Sequence, residues 1–120
     1  MTYQRRIGNL GEAIAADFLK DRGYEWLEAN YNTPYGELDL VFLDQDCIVF
    51  VEVKTRTSDS FGAPETSITA AKLERIQNSA LLWLQAHPEC VDDWRIDAVA
   101  VLLDSQGHVN DIQHFINVIL

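Results

Sequence analysis

The chain has 120 residues, 48% of them hydrophobic and 23% charged, which fits one globular domain over residues 1–120 and excludes disordered and low-complexity classes. Nineteen acids against nine bases give a formal net charge of −10, which repels polyanions at long range, so a nucleic-acid ligand would have to meet a local basic patch. No apolar run approaches the ~20 residues that cross a bilayer, and no apolar signal region follows Thr2-Tyr3-Gln4-Arg5-Arg6, so a soluble, cytoplasmic protein is expected.

Leu10, Ile14 and Phe18 recur at four-residue spacing with Ala13 and Leu19 alongside, which predicts a first helix from about Asn9 to Arg22, stopped by Gly23. Glu12 then falls in the first turn, where unpaired amides favour a carboxylate. Tyr24 to Ala29 reads as a short strand, and Asn30 to Tyr35 as a turn-rich connection.

The stretch Gly36 to Arg56 reads as two apolar strands joined by the polar turn Asp44-Gln45-Asp46. Alternation puts Glu37 and Asp39 on one face of the first strand and Glu52 and Lys54 on one face of the second. Leu38, Leu40 and Phe42 point the other way, as do Val49, Val51 and Val53. If the strands pair, three carboxylates and one ammonium converge at the ends of the apolar hairpin.

Thr57 to Ser67 is a polar loop broken by Gly62 and Pro64, in which Phe61 either covers the site's mouth or anchors the loop. A second helix follows from about Thr69 to Ala86, capped by Ser67 or Thr69 and ended by Pro88, with Leu73, Ile76, Ala80, Leu81 and Leu84 as its apolar stripe. Lys72 and Arg75 project from one side of it, as a solvated face or a phosphate clamp. Trp94 to Leu103 is a clear strand, Asp104 to Gly107 a turn, and Val109 to Leu120 reads as a last strand, with a helical turn near Asp111 to His114 as the alternative. Helix, strands, helix, strands in that order predict an α/β or α+β architecture with helices flanking a mixed sheet. Cys47 and Cys90 lack metal-ligand spacing and read as free thiols.

Carboxylates inside an apolar strand need partners, because an unpaired buried charge costs more than a domain can tolerate. Three readings compete. Glu52 and Lys54 form an exposed edge pair beside a solvated strand end; or Asp39 and Glu52 bind a divalent cation with Glu37 and Glu12, directly or through water; or the cluster is a binding surface with no chemistry. Hard oxygen ligands suit magnesium or manganese and not zinc. Such an ion polarises a phosphodiester and activates water, with Lys54 orienting that water or stabilising the phosphate. The chain carries no glycine-rich phosphate loop, no GxSxG elbow and no His pair at helical spacing, and His87, His108 and His114 are scattered.

Asp39, twelve intervening residues and Glu52-Val53-Lys54 resemble the acid, spacer, acid-x-lysine pattern of the PD-(D/E)xK nuclease superfamily. The ordered set Gly8-Asn9-Leu10-Gly11-Glu12, Gly23-Tyr24, Asn30, Gly36 to Leu40, Val49 to Arg56, Phe61-Gly62, Lys72 and Arg95-Ile96-Asp97 more closely resembles the bacterial YraN family, which is similar to archaeal Holliday-junction resolvases. The resemblance implies a restriction-endonuclease-like α/β fold. It also implies a catalytic triad of Asp39, Glu52 and Lys54 with Glu12 as an accessory acid. The expected function is a magnesium- or manganese-dependent DNA endonuclease, with branched DNA such as Holliday junctions among its candidate substrates and Arg56, Lys72 and Arg75 on the phosphates. Junction-resolving relatives act as two-fold dimers, because their substrates are two-fold symmetric. The alternative is a non-catalytic module that keeps the fold and binds nucleic acid or protein.

Overall fold

The computed structural model describes residues 2–57, 68–90 and 93–119. Helix α1 spans Tyr3–Asp21, followed by strands β1 (Glu25–Thr33), β2 (Gly36–Asp44) and β3 (Cys47–Thr57), helix α2 (Ala70–Ala86), and strands β4 (Asp93–Leu103) and β5 (Val109–Phe115). The strands form one sheet in the order β1-β2-β3-β4-β5. Among the described residues only β3 and β4 run parallel, joined through α2, as a parallel pair requires a crossover. The mixed α/β architecture expected from the element order is present. Phe61, Gly62, Pro64 and Ser67 lie outside the described residues.

Each face of the sheet packs one helix. Ala15 and Leu19 of α1 join Leu40, Phe42, Val49, Val51, Val99 and Val101 in one buried cluster. Ile76, Ala80 and Trp83 of α2 join Leu38, Val41, Ile48, Phe50 and Ile96 in the other. The period-2 pattern of β3 therefore feeds both cores, odd positions to α1 and even positions to α2. Within β2 that alternation breaks between Leu38, on the α2 side, and Leu40, on the α1 side.

Helix α1 begins earlier than the expected start at about Asn9. Thr2 is its cap, the hydroxyl accepting from the Arg5 amide at 3.1 Å. Tyr3 and Ile7 carry the apolar spacing back from Leu10 and Ile14, with Ile7 packed against the core and Tyr3 exposed, and Glu12 lies well inside the helix rather than in its first turn. Leu10 stays 39% exposed while Ala15 and Leu19 are fully buried, which turns the buried stripe away from the expected one. Thr69 caps α2 through the Lys72 amide at 3.2 Å. There Trp83, not Leu81, fills the core, with the Trp83 indole N–H donating to Glu28 at 2.9 Å. Strand β1 runs through to Thr33, over residues expected to be a turn, and β5 stops at Phe115 rather than continuing to the C-terminus. Cys47 and Cys90 are free thiols. Among the described residues no helix is long and apolar enough to cross a membrane.

Candidate functional site

The antiparallel ladder between β2 and β3 runs from Asp44↔Cys47 to Leu40↔Val51 and ends there. Beyond that point β2 continues to pair with β1 and β3 with β4, so a gap opens between them. Asp39 and Glu52 are the next residues on its two sides. Asp39 closes the gap's inner end, because its Oδ2 accepts the Val53 amide at 2.9 Å, an N–H the ladder no longer serves.

Glu12 reaches this gap from the helix above. Gly11 makes that possible, since a Cβ on it would stand 1.9 Å from the Thr55 hydroxyl of β3, so only glycine lets α1 lie this close to the strand. Asn30 completes the set from β1. It holds a left-handed backbone, φ +53°, which asparagine tolerates better than most residues, and it stands opposite Asp39 where the alternation of β2 fails. Its amide donates to Glu12 Oε1 at 2.9 Å and to Glu37 Oε1 at 3.1 Å.

One carboxylate oxygen each from Glu12, Glu37 and Asp39 lies within 4.8 Å of the others. Opposite ligands of an octahedral magnesium ion lie about 4 Å apart at the usual ~2.1 Å bond length, so an ion of that size would need only small side-chain adjustments to sit among these oxygens. The all-oxygen donor set fits magnesium or manganese. Glu52 is 6% exposed and pairs with Lys72 of α2.

The charges here oppose one another. Burial and the adjacent Glu52 carboxylate push the Asp39 pKa up to about 8, although the Val53 amide hydrogen bond works the other way. Burial also raises Glu12, against the Asn30 hydrogen bond and together with Glu37 and Glu52.

Two concavities flank the cluster. The smaller, about 150 Å³, is lined by Glu37, Asp39, Glu52, Lys72 and Arg75 with Tyr35, Gly36, Ile76 and Ser79. The larger, about 550 Å³, holds Glu12, Lys54, Arg56 and Lys72 between the start of α1 and the end of β3. Each of the eight residues singled out from the sequence lines one of these two concavities, and Lys72 lines both. Lys54 and Arg56 face the larger one, and Arg75 the smaller.

Sequence reasoning missed the role of Asn30, whose only local signal is the tolerance of asparagine for positive φ. It also missed a second polar cluster. Asp97 of β4 is fully buried and accepts from Arg95 Nε at 2.9 Å, His114 Nε2 at 2.8 Å and the Asn117 amide at 2.9 Å. Arg95 also donates to Asp44 at 3.1 Å and to the Tyr24 hydroxyl at 2.8 Å. Arg22 donates to His114 Nδ1 at 2.9 Å, which leaves the imidazole proton on Nε2 for Asp97. The rule that flagged Asp39, an acid within an apolar strand, applies equally to Asp97.

The profile of "Uncharacterised protein family UPF0102" matches residues 11–101. A UPF0102 protein of Syntrophomonas wolfei is 43% identical over 109 residues, covering 90% of this chain and 95% of its own. One from Renibacterium salmoninarum is 44% identical over 114 residues, covering 95% and 96%. One from Beutenbergia cavernae is 46% identical over 107 residues, covering 89% and 91%.

Proposed function

The chain belongs to the UPF0102 (YraN) family, and we propose that it is a metal-dependent DNA endonuclease of restriction-endonuclease-like fold. The observation that carries this reading is the gathering of Glu12, Glu37 and Asp39 oxygens within 4.8 Å at the open end of the β2–β3 ladder. Acids held at that spacing, with Asp39 driven toward protonation, gain most from a divalent cation.

Glu12, Glu37 and Asp39, with Glu52 beside them, would hold Mg²⁺ or Mn²⁺. Such an ion polarises a phosphodiester, lowers the pKa of a water and neutralises charge that develops during hydrolysis. The protein supplies the frame. The Val53 amide fixes Asp39, and the Asn30 amide spaces Glu12 from Glu37. Lys54, facing the larger cleft beside Glu12, orients the attacking water and offsets charge on the phosphate. Arg56, Lys72 and Arg75 form the local basic rim that an acidic chain needs to meet a phosphate backbone.

Magnesium titration with linear duplex, single-stranded and four-way-junction DNA tests this reading. The wild type cleaves at least one of these, and Asp39→Asn and Glu52→Gln each lose activity by ~10²-fold or more, the scale of removing a group that stabilises transition-state charge. Metal-independent binding without cleavage of any substrate would instead establish a non-catalytic module. Preference for the junction over linear DNA of equal length would identify branched DNA as the substrate.

A further inference from the structure

The larger cleft continues past the acidic centre to an exposed aromatic ring. Tyr3, 58% exposed in the first turn of α1, lines this cleft together with Ile7. The same two residues line a second groove of about 310 Å³ on the other side, bordered by Arg6, Leu10 and Gln106. Tyr3 is therefore a ridge between two concavities, with Lys54 and Arg56 on the side of the acids and Arg6 on the far side. Both volumes lie in the range of about 300–1,000 Å³ that suits small-molecule-sized groups rather than a duplex.

Building on the nuclease reading, we propose that this path is a track for unpaired DNA: a strand leaves the acidic centre along the larger cleft, stacks a base on Tyr3, and passes Arg6 into the second groove. The charge of the chain favours this occupant. A protein of net charge −10 gains little from long-range attraction to the dense phosphates of a duplex. Stacking on an aromatic ring adds affinity without charge, is open only to bases outside a helix and tolerates any sequence. A few bases at the cleft then suffice to guide the phosphates, and the substrate class becomes DNA with a single-stranded segment next to the cleavage point.

Fluorescence anisotropy with a labelled oligothymidylate tests the track, in EDTA and again with Ca²⁺ in place of Mg²⁺, with circular dichroism of each variant to confirm the fold. The oligothymidylate binds more tightly than a blunt duplex of equal length. Tyr3→Ala weakens its binding about tenfold, whereas Tyr3→Trp retains it. Arg6→Ala lowers the salt slope by roughly 0.7. Equal binding by Tyr3→Ala, tighter binding to the duplex or no binding to the oligothymidylate would each overturn the proposal. Tyr3-dependent binding by a wild type that cleaves nothing removes the nuclease reading and leaves the track; cleavage with binding indifferent to Tyr3 does the reverse.

Discussion

Asp39 and Asp97 are carboxylates set into apolar strands of one sheet, on β2 and β4, and they end in opposite electrostatic states. Asp97 is the more deeply buried of the two, yet its pKa lies below the usual carboxylate value. Burial raises it, but the hydrogen bonds from His114, Arg95 and the Asn117 amide outweigh burial. Asp39 retains some exposure and is pushed up to about 8, first by burial and then by the Glu52 and Glu12 carboxylates, with only the Val53 amide hydrogen bond working against them. Burial raises both carboxylates, so what separates their states is the partners: donors outweigh burial at Asp97, whereas further carboxylates add to it at Asp39. At Asp97 the fold has completed its own hydrogen bonding, and among the described residues no buried side-chain polar atom lacks a partner. At Asp39 like charges are kept together by covalent and packing constraints, an arrangement that makes sense where an external cation completes it.

The largest effect should come from breaking the satisfied member. Asp97→Ala leaves His114 Nε2 and the Asn117 amide without their acceptor and the Arg95 guanidinium with only Asp44 and the Tyr24 hydroxyl, and should cost ~3–5 kcal/mol, read as a lower urea midpoint. Asp39→Ala removes an acid from a repulsive group and should cost far less. Comparable losses in the two variants would erase the distinction drawn here.

Next in size is the response to metal. Mg²⁺ at about 100 times its dissociation constant should stabilise the wild type by ~2.7 kcal/mol, visible as a raised melting temperature. Asp39→Asn should abolish that gain, whereas Asp97→Asn should keep it on a lower baseline. A metal-induced shift that survives Asp39→Asn would place the ion elsewhere.

Metal-free pH profiles sharpen the contrast because the two signs differ. The folded state binds the Asp39 proton more tightly than the unfolded chain does, so stability falls as pH rises from about 4 through about 8. Asp97 is depressed, so its contribution is present above the ordinary carboxylate value and is lost as pH falls through its folded value. The metal-free protein should therefore be most stable in mild acid. Asp39→Asn should stabilise it by ~1–3 kcal/mol near pH 8, with no gain near pH 4. A wild type whose metal-free stability climbs steadily from pH 5 to pH 8 would contradict this.

Much of this was legible in the residues themselves, and the exceptions share a physical cause. The β2–β3 hairpin and β4 follow from apolar runs of strand length, and α2 from a 3.6-residue stripe behind Thr69. Glu37, Asp39, Glu52 and Lys54 stand out because charge inside such runs needs a reason. What stayed hidden depends on tertiary contact. The start of α1 is mostly exposed and sets only Ile7 against the core, and the close approach of Gly11 to Thr55 that brings Glu12 to the acids is invisible to any periodic pattern. Leu81, expected in the stripe, is exposed and Trp83 is buried, because the position of α2 on the sheet, not the width of its stripe, selects what is buried. His114 finds Asp97 across the β4–β5 pairing, a register no local pattern sets.

The smallest expected effect tests Asn30, which joins backbone geometry to the acidic cluster. Asn30→Gly keeps the left-handed φ without strain but deletes the amide that donates to both Glu12 and Glu37. Stability should stay within about 1 kcal/mol of wild type, because the lost hydrogen bonds are exposed. Magnesium affinity, measured by calorimetry at neutral pH, should fall about tenfold, as it does when a group that orients metal ligands is removed. Asn30→Ala adds the strain of a left-handed β-carbon and should be ~1 kcal/mol less stable than Asn30→Gly, with the same affinity loss. The pair separates the two roles: a glycine variant with unchanged affinity would mean that Asn30 shapes the strand and has no part in spacing the carboxylates.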